Sequence, residues 1–279
     1  MNLKIIKNTV TSSVIFLLLA CTNTTSPDRS IETIALSAKD TVAAPAASQY
    51  QLGNVINNPQ ALAVLQRSVR RADSAQTVIN VLHIGDSHIK SGYYSQPFML
   101  KLNDYYSRRY HGRLFFNFQW FCKIGTKYSD YNELAELDDQ LIKSQPHLVI
   151  ISLGTNDAFS GSSRVNFYQK IDHLVKKIRS LAPQSSILIT TPPDALKRDP
   201  RTGSYTALPE LINVVNTIMK YCVDNKIAFW NLYQIMGGSY SIGRYANEKL
   251  AAPDHVHFTA KGYGMFAQWL FEAFTKTIN

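Results

Sequence analysis

Three short polar clusters contain the residue types that ester chemistry requires. They are Gly-Asp-Ser-His at residues 85–88, Gly-Thr-Asn-Asp at 154–157 and Asp-His-Val-His at 254–257. A serine attacks a carbonyl when a base, usually an imidazole held by a carboxylate, takes its proton. Asp254 and His257 are three residues apart, so one turn places both side chains on the same side. The clusters therefore predict a triad in which Ser87 is the nucleophile.

The oxygen that becomes negative during such an attack needs hydrogen-bond donors. Asn156 offers a side-chain amide, and Ser87 and Gly125 offer backbone N–H groups. These three residues are the predicted oxyanion hole.

Neighbouring polar residues allow structural roles as well. His88 either approaches the substrate or makes a structural hydrogen bond, and both interpretations remain open. Asp86 is expected to order the nucleophile turn, because an acidic residue after a strand commonly caps a helix. His255 is a competing base, although its spacing from Asp254 favours His257.

Hydrophobic patterns predict the elements that position these clusters. Apolar runs at 78–84 and 147–153 predict buried strands, and the first two clusters follow them directly. Ligands gather at the carboxyl ends of strands in open α/β sheets. Further strands and helices alternate along the chain: strands at 114–118, 187–190 and 227–232, and helices at 59–72, 96–109, 134–143, 167–181, 208–222 and 264–276. This order predicts an α/β fold, a three-layer α/β/α sandwich with a mostly parallel sheet of about five strands.

Composition sets broad limits on partners. The chain has 279 residues, of which 45% are hydrophobic and 18% charged, as expected for one sizeable globular domain. Its formal charge is +9, but no dense block of Lys and Arg stands out, so nucleic acid is not an expected partner. No CxxC motif or His/Cys cluster suggests a metal. Cys122 and Cys222 either pair or remain thiols, and the helical apolar stripe around Cys222 equally favours a buried thiol.

The first fifty residues have the features of an export and anchoring segment. Lys4 and Lys7 precede an apolar run at 14–20, which is too short to span a bilayer comfortably. Leu-Leu-Ala-Cys at 18–21 resembles the lipobox of bacterial lipoproteins, which implies a signal peptide at 1–20 and a lipid on Cys21. Residues 21–50 are rich in Ser, Thr, Ala and Pro, which predicts a flexible tether before a domain at 51–279. We therefore expect a domain outside the cytoplasm, anchored to a membrane of a bacterial envelope. Thr22 after the cysteine favours the outer membrane.

The clusters, in their order, resemble the conserved blocks of the SGNH hydrolases, also called GDSL-like esterases. Gly-Asp-Ser at 85–87 is similar to the first block, and Lys-Ile-Gly-Thr at 123–126 to the second. Gly-Thr-Asn-Asp at 154–157 is similar to the third block, and 254–257 to the last. The resemblance extends from about residue 78 to the C-terminus. It implies that Gly125 and Asn156 are oxyanion donors, and it implies no metal or organic cofactor.

The first block has His where many members of the family have Leu. This variant is similar to a subgroup that contains peptidoglycan O-acetylesterases, and it implies hydrolysis of a short acyl ester, expected to be acetyl, on an envelope or extracellular saccharide. A saccharide O-acyltransferase with the same triad and a non-catalytic saccharide-binding lipoprotein remain open as alternatives. The aromatic residues Trp120, Phe121 and Tyr128 either stack on sugar or pack in the core. Residues 191–194 either wall the pocket or form a plain turn.

Overall fold

A six-stranded sheet forms the centre of the domain in a computed structural model of the chain, which describes residues 51–161 and 164–279. The strand order is β1-β8-β5-β4-β2-β3, and β1 alone runs antiparallel to its neighbour. The strands of this sheet are β1 (Ile56–Asn57), β2 (Thr77–Gly85), β3 (Leu114–Cys122), β4 (Leu148–Ser152), β5 (Ser186–Thr190) and β8 (Ala228–Trp230). A separate antiparallel hairpin joins β6 (Leu196–Arg198) and β7 (Tyr205–Ala207).

Helices connect the strands and cover both faces of the sheet. The α-helices are α1 (Ala63–Arg70), α2 (Ser87–Lys90), α3 (Ser95–Arg109), α4 (Tyr128–Asn132), α5 (Ala135–Ser144), α6 (Thr155–Ser160), α7 (Arg164–Leu181), α8 (Pro209–Asp224), α9 (Leu232–Ile235), α10 (Ser241–Asn247) and α11 (Ala260–Ile278). This architecture confirms the predicted three-layer α/β/α sandwich. The sheet has one strand more than the five expected, because β1 is two residues long and leaves no sequence pattern.

Alternate side chains of the central strands build two separate cores. On β2, Ile79 and Val81 pack in a cluster with α1, α3 and α11, whereas Leu82 and Ile84 pack in a second cluster with α5, α7 and α8. This alternation follows from the two-residue period of a strand whose two faces are both covered by helices. The first two polar clusters follow β2 and β4, strands that these cores hold from both sides.

A polar network crosses the first of these cores. His83 lies on β2 and is fully buried; its ring nitrogens are 2.9 Å from Ser95 Oγ and 2.8 Å from Ser152 Oγ. Burial lowers the pKa of His83 to about 3, so the ring is neutral. His83 is a hydrogen-bonded core histidine that links β2, α3 and β4.

Several sequence-based predictions concern residues outside the described ranges. The signal peptide at 1–20, the lipidated Cys21 and the tether at 22–50 all lie there. Within the described ranges, no helix combines the length and the apolar character needed to cross a bilayer. Cys122 and Cys222 are both free thiols, and burial raises the pKa of each.

Candidate active site

The nucleophile segment, residues 85–90, turns sharply from β2 into the short helix α2. Asp86 is the N-cap of α2, and its Oδ1 accepts a hydrogen bond of 3.0 Å from the backbone N–H of His88. Asp86 therefore orders this turn, as the sequence predicted, by satisfying a free helix N–H. Ser87 is the first residue of the helix and is partly exposed at the carboxyl end of the sheet.

The structure brings Ser87 together with the loop that precedes α11. His257 Nε2 lies 2.9 Å from Ser87 Oγ, and His257 Nδ1 lies 2.7 Å from Asp254 Oδ2. Nucleophile, imidazole and carboxylate thus form one continuous hydrogen-bonded chain between residues 170 positions apart. This is the arrangement by which a serine is deprotonated as it attacks a carbonyl.

The Asp–His loop, residues 251–258, is stabilised by its own backbone. Ala251 and Phe258 form an antiparallel bridge at its base, and Asp254 Oδ1 accepts 2.9 Å hydrogen bonds from the N–H groups of Val256 and His257. Partial burial acts to raise the pKa of the Asp254 carboxyl. The hydrogen bonds from the His257 ring and from the two N–H groups outweigh it, so the pKa lies below its ordinary value. The carboxylate is therefore ionised at neutral pH.

The second cluster, residues 154–157, begins α6 beside the nucleophile segment. The Nδ2 group of Asn156 donates to Asp86 Oδ2 at 3.1 Å and to the carbonyl of Thr126 at 3.0 Å. Gly125, next to Thr126, has a φ of 76°, the left-handed region that favours glycine. The structure therefore brings Asn156 close to the Gly125 loop and to Asp86. Because both amide protons already have partners, donation to an oxyanion by Asn156 and Gly125 stays a prediction.

His88 makes structural hydrogen bonds beneath the triad. Its Nδ1 lies 3.0 Å from Tyr263 Oη on α11, and its Nε2 lies 3.2 Å from Thr155 Oγ1 on α6. Its ring centre is 5.3 Å from that of His257. Burial, aided by the neighbouring His257, lowers the pKa of His88 to about 3. A neutral His88 therefore ties together the segments that carry Ser87, Asn156 and, through α11, the Asp–His loop.

Two buried carboxyls lie beside Asn156. Burial raises the pKa of Asp86 to about 7, against the hydrogen bond from His88, and it raises the pKa of Asp157 to about 6. Asp157 Oδ2 accepts from the N–H of Tyr128 at 3.3 Å, so Asp157 supports the segment that follows Gly125.

The three aromatic residues proposed to stack on sugar differ in how exposed they are. Tyr128 is fully buried and belongs to the core, whereas Trp120 is 38% exposed and Phe121 is partly buried against the core. Trp120 is therefore the most accessible of the three to a sugar. Its ring lies near Gly92, in the segment that follows α2.

A small cavity lies under the nucleophile segment. His88, Thr155 and Tyr263 line it together with residues 191–193. No triad residue lines this cavity, so a role of residues 191–193 in the wall of the substrate pocket stays a prediction. Asp194 is instead an anchor, because its carboxylate accepts from the N–H of Ile242 at 3.1 Å.

Sequence reasoning missed the hairpin that covers the Asp–His loop. Tyr205 on β7 stacks on the ring of His255, with ring centres 4.0 Å apart and ring planes 12° apart. The hydroxyl of Tyr205 donates to the carbonyl of Pro253 at 2.7 Å. His255, the competing base, thus has its ring against Tyr205 while Asp254 contacts His257. No pattern joins Tyr205 to a loop almost fifty residues later, so this contact left no signal in the sequence.

Comparisons with known proteins agree with this geometry. The family model described as GDSL-like lipase/acylhydrolase matches residues 81–270, which include all three polar clusters. The chain belongs to this family of SGNH hydrolases. A search of curated proteins finds no match to this SGNH hydrolase. Membership establishes a carboxylic ester hydrolase fold and class, and the substrate is a separate question.

Solved structures of esterases share the fold of this SGNH hydrolase. A peptidoglycan O-acetylesterase superposes with a TM-score of 0.69 at 17% identity, over 81% of this chain and 98% of that chain. An acetyl xylan esterase gives a TM-score of 0.53 at 18% identity, over 70% of this chain and 99% of that one. A two-domain esterase active on acetylated mannans gives 0.55 at 17% identity, over 80% of this chain and 56% of its own. At these identities the similarity concerns the fold.

Proposed function

We propose that this SGNH hydrolase is a serine esterase that removes short acyl groups, chiefly acetyl, from saccharides. The observation that carries the proposal is the hydrogen-bonded chain from Asp254 through His257 to Ser87. Ser87 Oγ attacks the ester carbonyl while His257 Nε2 takes its proton. Asp254 holds the Nδ1–H and stabilises the charged imidazole. His257 then gives the proton to the leaving sugar hydroxyl, and water cleaves the acyl-enzyme by the reverse sequence.

The oxyanion hole is assigned to Asn156, Gly125 and the N–H of Ser87. Asn156 donates to Thr126 and Asp86 in the resting structure, so it must exchange or share one of these bonds as negative charge develops. The oxyanion and the carbonyl of Thr126 would compete for the same N–H of the Asn156 amide. The oxyanion is the stronger acceptor, because it carries a full negative charge whereas the carbonyl is neutral. This exchange makes the bond specific to the transition state, which is where it accelerates the reaction.

Two observations support a saccharide carrying a short acyl group. The imidazole of His257 is 40% exposed and the carboxylate of Asp254 is 49% exposed, which leaves room for a bulky polymer above the serine. Beside Asn156, the backbone at Gly154 packs closely against Val214 and Pro192, where an added Cβ would lie 3.0 Å and 3.2 Å away, and this limits the space for a long acyl chain. The esterases with this fold that act on acetylated peptidoglycan, xylan and mannan point the same way.

The test compares acetyl, butyryl and octanoyl aryl esters, and then measures acetate released from acetylated peptidoglycan and acetylated xylan. We expect the rate to fall as the acyl chain lengthens, with peptidoglycan as the preferred polymer. Ser87→Ala is the matched control, and its kcat should fall on the order of 10⁴-fold or more. An undiminished rate in that variant contradicts the mechanism. A preference for octanoyl contradicts the short-acyl assignment, and acetate from xylan alone moves the substrate away from peptidoglycan.

We further propose that a lipid on Cys21 anchors the domain in the bacterial envelope and keeps it close to its polymer. The support is the sequence alone: the basic start, the apolar run at 14–20 and the lipobox-like residues 18–21. Two or more acyl chains on one residue hold a protein on a membrane far better than a single chain. Cys21→Ser should therefore move the protein from the membrane fraction to the soluble fraction. A soluble wild-type protein would rule the anchor out.

A further inference from the structure

Two residues of the triad, Asp254 and His257, lie on a loop whose position is not fixed by burial alone. Asp254 and Pro253 are exposed, and His255, Val256 and His257 are only partly buried. A catalytic constellation needs its side chains held within about 0.5 Å of the productive geometry. Contacts that restrain this loop from outside therefore bear directly on the alignment of His257 with Ser87.

The hairpin formed by β6 and β7 supplies three such contacts. The N–H of Leu196 donates to the carbonyl of His255 at 2.9 Å, and the hydroxyl of Tyr205 donates to the carbonyl of Pro253 at 2.7 Å. The Tyr205 ring lies flat on the His255 ring, with centres 4.0 Å apart. These contacts bind the residues immediately before and after Asp254.

His255 has a backbone conformation that requires support. Its φ is 55°, in the left-handed region that residues with a side chain adopt at a cost. This turn lets one oxygen of Asp254 accept from the N–H groups of Val256 and His257 while the other meets the His257 ring. His255 Nδ1 is buried without a hydrogen-bond partner among the described residues, so the stack on Tyr205 is what holds the ring.

The hairpin is firmly attached to the domain. Leu196 is buried in the core, and Asp194 just before it accepts from the N–H of Ile242 at the start of α10. At the hairpin tip, Asp199 Oδ1 accepts from the N–H of Arg201 at 2.7 Å and closes the turn. Because its base is anchored in the core and its tip is closed, the hairpin can hold the loop that it covers in a fixed position.

We propose that Tyr205 is a positioning residue whose stack on His255 holds the Asp–His loop in the turn that aims Asp254 at His257. The proposal rests on the esterase function proposed above. Tyr205 acts through His255 and Asp254, so its contribution falls on kcat and leaves substrate binding unchanged. The ring provides the restraint, and the hydroxyl adds a smaller part through Pro253.

The kinetic test compares Tyr205→Ala with Tyr205→Phe on a small aryl acetate. Because small misplacements of catalytic groups are costly, we expect Tyr205→Ala to lower kcat by about 10–100-fold with KM changed by less than about twofold. Tyr205→Phe keeps the stack and should stay within about threefold of wild type. Thr206→Ala is the matched control, since Thr206 is the exposed neighbour on the opposite face of the strand. Tyr205→Phe and Thr206→Ala should melt within about 2 °C of wild type. Tyr205→Ala also loses packing against the core, so it should stay folded but melt about 2–4 °C lower.

A spectroscopic readout separates this proposal from the proposed function. The proton between His257 Nδ1 and Asp254 should give a downfield ¹H NMR resonance in the full protein, whether or not the assayed ester is a substrate. The resonance should broaden or vanish in Tyr205→Ala and persist in Tyr205→Phe. An unchanged resonance together with wild-type kcat in Tyr205→Ala overturns the proposal. A raised KM with unchanged kcat also overturns it, because Tyr205 would then contact the substrate. Activity that survives Ser87→Ala instead refutes the esterase mechanism and leaves the resonance test intact.

Discussion

The nucleophile segment and the Asp–His loop meet in one hydrogen-bonded chain, yet they are held in different ways. Around Ser87, Asp86 and His88 are buried and hydrogen-bonded, and His88 reaches both α6 and α11. The Asp–His loop is largely exposed and depends on its own backbone hydrogen bonds and on the hairpin above it. The nucleophile is thus held by buried neighbours, whereas its base lies on a surface loop.

This difference separates stability from activity. A change in the nucleophile segment disturbs buried hydrogen bonds, so it should lower both the free energy of unfolding and the rate. A change in the Asp–His loop disturbs exposed groups, so it should lower the rate while the fold is nearly unaffected. The predictions below test this separation, beginning with the largest effect.

Asp254→Asn should have the largest effect on rate with little effect on stability. Asparagine can still accept from the N–H groups of Val256 and His257, but its amide N–H₂ would face His257 Nδ1 and favour the wrong tautomer. The equivalent loss in a serine triad lowers kcat by about 10⁴-fold. Steady-state kinetics and chemical denaturation measure the two effects. Asp104→Asn, an exposed acid on α3, is the control, and a loss of less than about tenfold at Asp254 would show that the ring is oriented by other contacts.

Asn156→Ala should lower kcat by about 10²–10³-fold, because one oxyanion donor is lost. KM should change much less, since the bond forms mainly in the transition state. The variant also loses the hydrogen bonds to Asp86 and Thr126, so the free energy of unfolding should fall by about 1 kcal/mol. A normal kcat combined with lowered stability would make Asn156 a loop residue only.

The sequence predicts the central fold and the location of the site well, for a physical reason. The strands around Ile84 and Ile151 are continuous apolar runs covered on both faces, and the residues that follow them meet at one edge of the sheet. Asp254 and His257 are close in sequence, so their contact follows from local geometry.

Contacts between distant segments escape such reasoning. The hydrogen bonds of His88 to Tyr263 and Thr155 join three elements, and only the packed structure decides between them and a contact with substrate. The hairpin at 196–207 is short and polar, so no periodic pattern marks it. The stack of Tyr205 on His255 depends on where that hairpin folds back, which local sequence does not encode.

His88→Leu tests how much the buried hydrogen bonds of the nucleophile segment contribute to stability. Leucine fills similar space but leaves Tyr263 and Thr155 without their buried hydrogen-bond partner, so the free energy of unfolding at pH 7 should fall by about 2 kcal/mol. His173→Leu, at an exposed position of α7, is the control and should change stability by less than about 0.5 kcal/mol. A His88 variant as stable as wild type would show that these hydrogen bonds contribute nothing net.

The same variant should show a distinct pH dependence. The pKa of His88 is about 3 in the folded protein and near its ordinary 6.5 in the unfolded chain. Between these values the unfolded chain binds the additional proton, so the wild-type protein loses stability as the pH falls below 6.5. At pH 5 this loss is about 2 kcal/mol, and leucine does not incur it. The deficit of His88→Leu measured at pH 7 should therefore nearly disappear at pH 5. A deficit that grows on acidification would mean that His88 is charged in the folded state.

Gly125→Ala should give the smallest effect, and Gly112→Ala calibrates it. Their φ angles are 76° and 77°, and a Cβ at either position would meet no atom within 4 Å. Each substitution should therefore lower the free energy of unfolding by the same backbone strain, about 1 kcal/mol, with no steric clash.

The two glycines differ in their position relative to the site: Gly112 precedes β3, whereas Gly125 follows it beside Asn156. Alanine keeps the N–H of residue 125, so kcat should fall by less than about tenfold in Gly125→Ala and remain unchanged in Gly112→Ala. Denaturation curves and kcat are measured for both. A loss of kcat near 10²-fold in Gly125→Ala alone would show that this loop must move for Asn156 to exchange the carbonyl of Thr126 for the oxyanion. Equal kcat values in the two variants would show that the N–H of residue 125 is already in the position that the reaction needs.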